Sequence, residues 1–179
     1  MRTLFLLIAL LPTLASAEIA VYATGGQSPK TFHGQANLQA LNIELGRALS
    51  PRTDFAFVLA PMNFDQPLSW FGDQFGNGNE DVRALSASLL LRRKFNVDSS
   101  RVHVYGEASS GPMWAEKAVP ASTSRFNFVH QLGTGVVLMP RARFPLMVGY
   151  RFLHISNGGY SPRNPGLNMS SVILGVRVR

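Results

Sequence analysis

Cysteine is absent from the 179 residues. The chain therefore forms no disulfides, carries no lipid on an N-terminal cysteine and builds no thiolate metal site. Imidazole ligands are scarce too: His33, His103, His130 and His154 are the whole supply, and no two stand at a short metal-site spacing. Neither a structural metal nor a cofactor is expected. Charge is sparse, with 15% Asp, Glu, Lys and Arg. Beyond the N-terminus there is no apolar run near the roughly 20 residues that a membrane-crossing helix needs. No segment sustains a period of 3.6 either, so amphipathic helices are not expected.

The N-terminus reads as an export signal. Arg2 precedes an apolar run over 4–11 and the small-residue site Ala15-Ser16-Ala17, the layout of a cleavable secretory peptide. We expect residues 1–17 to be removed and 18–179 to form one domain. Losing Arg2 lowers the formal charge from +7 to +6. Such an excess suits nucleic acid, an anionic lipid headgroup or plain solubility. Export argues against nucleic acid, and the scatter of arginines suggests a solvated rim.

Period-two alternation recurs along the mature chain, bounded by Gly, Pro, Asn and Asp. It predicts eight strands at 19–25, 35–49, 52–62, 82–95, 101–109, 126–139, 143–156 and 168–179. An even number suits a closed up-and-down barrel with both ends on one side. Connections at 50–51, 96–100 and 140–142 are short, whereas 26–34, 63–81 (with Trp70 and Phe71), 111–125 and 157–167 are long. Outer-membrane barrels show this asymmetry, with tight periplasmic turns and long external loops.

Side-chain parity then has to choose the solvent. Leu41, Ile43 and Leu45 share a face opposite Asn42 and Glu44, and Leu85, Ala87, Leu89 and Leu91 line up in the same way. If lipid lies outside, the apolar faces look outward and the lumen holds Glu44, Arg101, His103, Glu107 and Gln131. That set suits a polar, hydrogen-bonded interior better than a dry core. Alternation alone leaves open a soluble periplasmic barrel that binds lipid inside.

His154 and Ser156, two apart at the end of the seventh strand, lie on its uncharged, apolar face with Phe144, Leu146, Val148, Tyr150 and Phe152. They should face lipid near the external end. Asn168 opens the eighth strand on the same face, and neighbouring antiparallel strands bring such residues within about 5 Å. Polar groups facing hydrocarbon are costly and call for a reason. Hydrolysis of a membrane ester supplies one, with a base and a nucleophile on one face. The plainer alternative is an interfacial belt, where polar residues are tolerated, above a loop of turn-forming Asn, Gly and Pro.

These residues resemble the PagL family of outer-membrane lipid A 3-O-deacylases. The likeness is densest in His154-Ile155-Ser156-Asn157-Gly158-Gly159 and Asn164-Pro165-Gly166-Leu167-Asn168. It continues upstream through Tyr105, Glu107, Gly111-Pro112-Met113-Trp114 and Ser124-Arg125-Phe126-Asn127-Phe128. It spans about residue 101 to the C-terminus; 18–100 fit by strand pattern only. The resemblance implies an eight-stranded transmembrane barrel in a Gram-negative outer membrane, acting on lipopolysaccharide and with a homodimer possible. Its serine esterase site would remove the hydroxyacyl chain at position 3 of lipid A. It carries over Ser156 as nucleophile, His154 as general base and Asn164 as oxyanion donor. Amides near Asn157, Gly158 and Gly159 would be further donors, unless the glycines serve the turn alone. External cations such as Lys117, Arg125 and Arg163 would meet the anionic headgroup.

Two positions depart from the pattern. Asn168 stands where the family has a glutamate as third triad member; an amide oxygen can accept the imidazole N–H but brings no charge. Glu107 is an acid nearby in the motif, yet its parity points it into the lumen. The chain also ends in Arg179, where outer-membrane barrels usually end in an aromatic. The alternative function is a catalytically silent barrel with a structural or adhesive role.

Overall fold

The computed structural model describes residues 18–31, 34–68 and 78–178. The expected signal peptide, His33, Trp70, Phe71 and Arg179 lie outside these.

Eight strands form: β1 Glu18–Gln27, β2 Asn37–Ser50, β3 Thr53–Pro67, β4 Asn79–Lys94, β5 Val102–Ala115, β6 Phe126–Leu138, β7 Leu146–Ser156 and β8 Leu167–Val178. Each pairs antiparallel with its sequence neighbour, and β1 closes on β8 with Ile19 opposite Val178. The fold is the closed up-and-down barrel that the alternation predicts. Closure leaves no sheet edge unpaired, which is what a strand protein in hydrocarbon requires.

Strand ends differ from the expectation on the long-loop side. β3 and β4 stay paired as far as Pro67 opposite Asn79, through a stretch whose Asn63 and Asp65 read as loop. Above the membrane an outward strand face can be polar without breaking the ladder. Asn63 donates to Asp81 (3.3 Å) and Asn37 to Asp65 (3.2 Å), while the alternate residues Phe64 and Val82 are buried. β5 likewise runs on through Pro112 to Ala115, where a loop was expected.

The interior has two storeys. Toward the long loops it is apolar, a cluster that includes Leu38, Phe64, Met113, Val129, Leu153 and Ile155. Toward the short turns it is ionic. Arg92 donates to both oxygens of Glu44 (2.7 and 2.9 Å) and to Glu107 (2.9 Å). Arg151 donates to Glu107 (2.6 Å), Tyr22 (3.0 Å) and Gln131 (3.3 Å). Lys94 and Arg177 both reach Asp54.

This corrects the expected lumen in two ways. Glu44, Glu107 and Gln131 do point inward, but Arg101 is exposed, just before β5, and His103 is half-buried near the turn, bonded to the Ser99 carbonyl at 3.0 Å. The interior is also not polar throughout, because parity assigns a face and says nothing of how deep each residue sits. A filled interior and an outward apolar band, with Leu41, Leu89, Leu132 and Leu174 exposed, set aside the soluble barrel that would bind lipid inside.

Candidate active site

On β7 the odd residues Met147, Arg151, Leu153 and Ile155 are buried inside the barrel, so the even ones, including His154 and Ser156, face outward. The parity expectation holds at these positions. Both sit at the long-loop end of the wall, the external side of an outer-membrane barrel.

Strand register brings polar partners to them. His154 stands opposite Asn168 on β8 and opposite His130 on β6. His154 Nδ1 lies 2.7 Å from Asn168 Oδ1. An amide oxygen can only accept, so this bond places the proton on Nδ1 and leaves the Nε2 lone pair free. Among the described residues no hydrogen bond joins Ser156 Oγ to the ring. Catalytic pairs are often loose before substrate arrives.

The following loop is built by its own polar groups. The Tyr160 N–H donates to the Asn157 carbonyl at 3.2 Å, closing a turn in which Gly158 and Gly159 have φ of 64° and 86°. Two successive positive φ values are the primed type I turn that glycine favours. Asn157, buried, ties the loop down: its N–H donates to Asn164 Oδ1 (2.9 Å), its Nδ2 to the Arg163 carbonyl (2.8 Å), and its Oδ1 accepts the Gly159 N–H (2.9 Å).

The Asn157 and Gly159 amides are therefore engaged within the loop. Among the described residues, Asn164 Nδ2 and the Gly158 N–H remain without a partner. Asn164 is exposed and held by its oxygen, which leaves its NH₂ uncommitted.

Gly166 is a residue to which sequence reasoning assigned no role. Its φ is 69°, and a Cβ built there would lie 2.9 Å from His154 Cε1. The loop backbone thus lies against the imidazole, and any side chain would displace it. An Asn-Pro-Gly run signals a turn, but its contact with the His154 ring is visible only once folded.

Glu107 is confirmed as an interior residue, salt-bridged to Arg151 and Arg92, on the opposite side of the wall from His154. Of the external cations, Lys117 is paired with Glu80 at 2.8 Å, a hydrogen-bonded carboxylate that raises the ammonium pKa above its ordinary value. The Arg125 guanidinium lies over the Trp114 ring, 5.3 Å from its centroid. Trp114 begins an aromatic series through Phe126, Phe128 and Tyr160, in which Phe128 stands opposite Ser156 in the strand register.

The fold and the wall-mounted histidine define the class: an eight-stranded outer-membrane barrel whose polar cluster faces the bilayer. A family profile described as lipid A 3-O-deacylase (PagL) matches residues 55–177. The chain belongs to that family, and its place is the Gram-negative outer membrane. The match begins well upstream of the region in which the sequence motifs are dense.

Solved structures agree on the fold. The outer membrane enzyme PagL aligns with a TM-score of 0.54 at 15% identity, covering 91% of this chain and 99% of that one. Neisserial surface protein A aligns at 0.63 and 17%, covering 90% and 96%. Ail, the attachment invasion locus protein of Yersinia pestis, aligns at 0.50 and 13%, covering 90% and 99%. Comparison with individually curated proteins finds no match.

Proposed function

We propose that this protein is an outer-membrane serine esterase that removes the 3-O-linked hydroxyacyl chain of lipid A in lipopolysaccharide. The observation that carries the reading is the 2.7 Å contact of His154 Nδ1 with Asn168 Oδ1 on the lipid-facing wall, with Ser156 on the same face. Family membership supports the substrate class.

With Nδ1 protonated, Nε2 takes the Ser156 proton as Oγ attacks the ester carbonyl. Negative charge develops on the carbonyl oxygen, and Asn164 Nδ2 and the Gly158 N–H are the donors disposed to meet it. One such donor is worth roughly 3 to 4 kcal/mol in the transition state. Collapse breaks the bond to the sugar oxygen, which leaves with the proton from His154. Water, activated by the same imidazole, then releases the fatty acid from Ser156 and restores the serine.

Asn168 does part of the work of an acid. In a serine protease, replacing the triad aspartate by asparagine cost about 10⁴ in turnover, largely through the wrong imidazole tautomer. Here the amide presents its oxygen, so the tautomer is the productive one; what is missing is charge to stabilise the imidazolium.

The test is mass spectrometry of lipid A from cells expressing the protein or its Ser156→Ala variant. Loss of one hydroxyacyl group only with Ser156 intact supports the enzyme. The neutral third residue favours a second reading, a silent barrel with a structural or adhesive role. Unchanged lipid A in both strains, with the barrel inserted, selects that reading.

A further inference from the structure

The candidate base belongs to a row of polar side chains longer than the triad needs. Ser110 on β5 stands opposite His130 on β6, His130 opposite His154 on β7, and His154 opposite Asn168 on β8. All four occupy one level of the outward face, on four successive strands.

The row is bonded at both ends and stacked in the middle. Ser110 Oγ lies 2.9 Å from His130 Nδ1, and His154 Nδ1 lies 2.7 Å from Asn168 Oδ1. Between them the two imidazoles stack, with centroids 6.2 Å apart and planes inclined by 21°. Two further polar side chains facing hydrocarbon need a reason beyond the third triad position.

We propose that His130, oriented by Ser110, is a positioning residue for His154. The inference rests on the reading of Ser156 and His154 as nucleophile and base. A single hydrogen bond at Nδ1 fixes one point of the imidazole and leaves the ring able to swing about it. The stack supplies the second restraint, setting the plane in which the Nε2 lone pair points. Ser110 does for His130 what Asn168 does for His154, satisfying Nδ1 and stopping ring rotation. Because the third residue is a neutral amide here, orientation carries more of the catalytic effect than it would beside a carboxylate. Ser110 and His130 are not a second esterase site: both stand within strands, away from the loop amides that flank Ser156.

The test uses the full barrel refolded in detergent, with two readouts. One is kcat and KM on lipid A in mixed micelles. The other is the labelling rate of Ser156 by a fluorophosphonate, which forms an Oγ–P bond with loss of fluoride and needs a placed base. His130→Ala should lower both kcat and the labelling rate roughly tenfold or more, as small misplacements of a catalytic group do, with KM nearly unchanged. His130→Phe, which restores a stacking ring that lipid tolerates, should recover most of that loss. Ser110→Ala should cost a few-fold in the parent and nothing in the His130→Phe background.

Three results would overturn the proposal: unchanged rates in His130→Ala, a rise in KM with kcat kept, or His130→Phe no better than alanine. A parent inert to both lipid A and the fluorophosphonate would sink the esterase reading together with this one. An active parent with an indifferent His130 would sink this one alone. Should His130→Ala fail to fold, judged by heat-modifiable migration in gels, the phenylalanine variant and the Ser110 pair carry the comparison.

Discussion

Asn168 is where chemistry and sequence pattern pull apart. Its oxygen holds the His154 proton on Nδ1, so a carboxylate in its place would add charge without changing the tautomer. We expect Asn168→Glu or Asn168→Asp to deacylate lipid A as fast as the parent or faster, by up to about tenfold, equivalent to about 1.4 kcal/mol. A clear drop in the deacylation rate would show that the amide itself takes part. Gly166 gives a second prediction. Alanine there would face both the positive φ, costing roughly 1 to 2 kcal/mol, and the His154 ring. The Gly166→Ala variant should keep the barrel but lose roughly tenfold or more in turnover, as displacement of a catalytic group does. Lipid A mass spectra over a time course would read it.

At the scale of elements, the loop after β7 serves as a cradle and the wall of β5 to β8 as a base plate. Much of this was legible in the sequence. The alternation of Leu85, Ala87, Leu89 and Leu91 assigns an outward face, and the parity of β7 alone turns His154 and Ser156 toward lipid. What parity could not supply was register. Ser110 lay one residue past the expected end of its strand, and its meeting with His130 depends on a pairing set twenty residues away. The reach of β3 to Pro67 was hidden for a different reason, since Asn63 and Asp65 look like loop until their partners on β2 and β4 are known.

For the whole molecule, the ionic storey of the lumen concerns persistence rather than chemistry. Removing one partner of a buried pair leaves an uncompensated charge, at about 3 to 5 kcal/mol. Arg92 serves both Glu44 and Glu107. Arg92→Ala should therefore lower the urea midpoint of the refolded barrel and weaken its heat-modifiable band. Glu107→Gln should destabilise in the same assay, while the fraction that remains folded keeps its deacylase activity. A matching loss of activity per folded molecule would place Glu107 in the reaction after all. The 48-residue separation of Arg92 from Glu44 explains why this network was only half visible: the acids stood out by parity, whereas their partner depended on the stagger of the closed sheet.

The seam where β8 meets β1 has a consequence in time. Asn168 arrives on the last strand of the chain, which β7 holds on one side, opposite His154, and β1 on the other, from Ser170 onward. Before β8 pairs with β7, His154 has no Asn168 at Nδ1, and the loop that bears Gly166 lacks its second anchor. A chain whose last strand is not yet in place would thus hold the proposed serine and histidine without the third member. Under the proposed chemistry, hydrolytic competence comes with the same strand that closes the barrel, so one strand completes both the site and the cylinder.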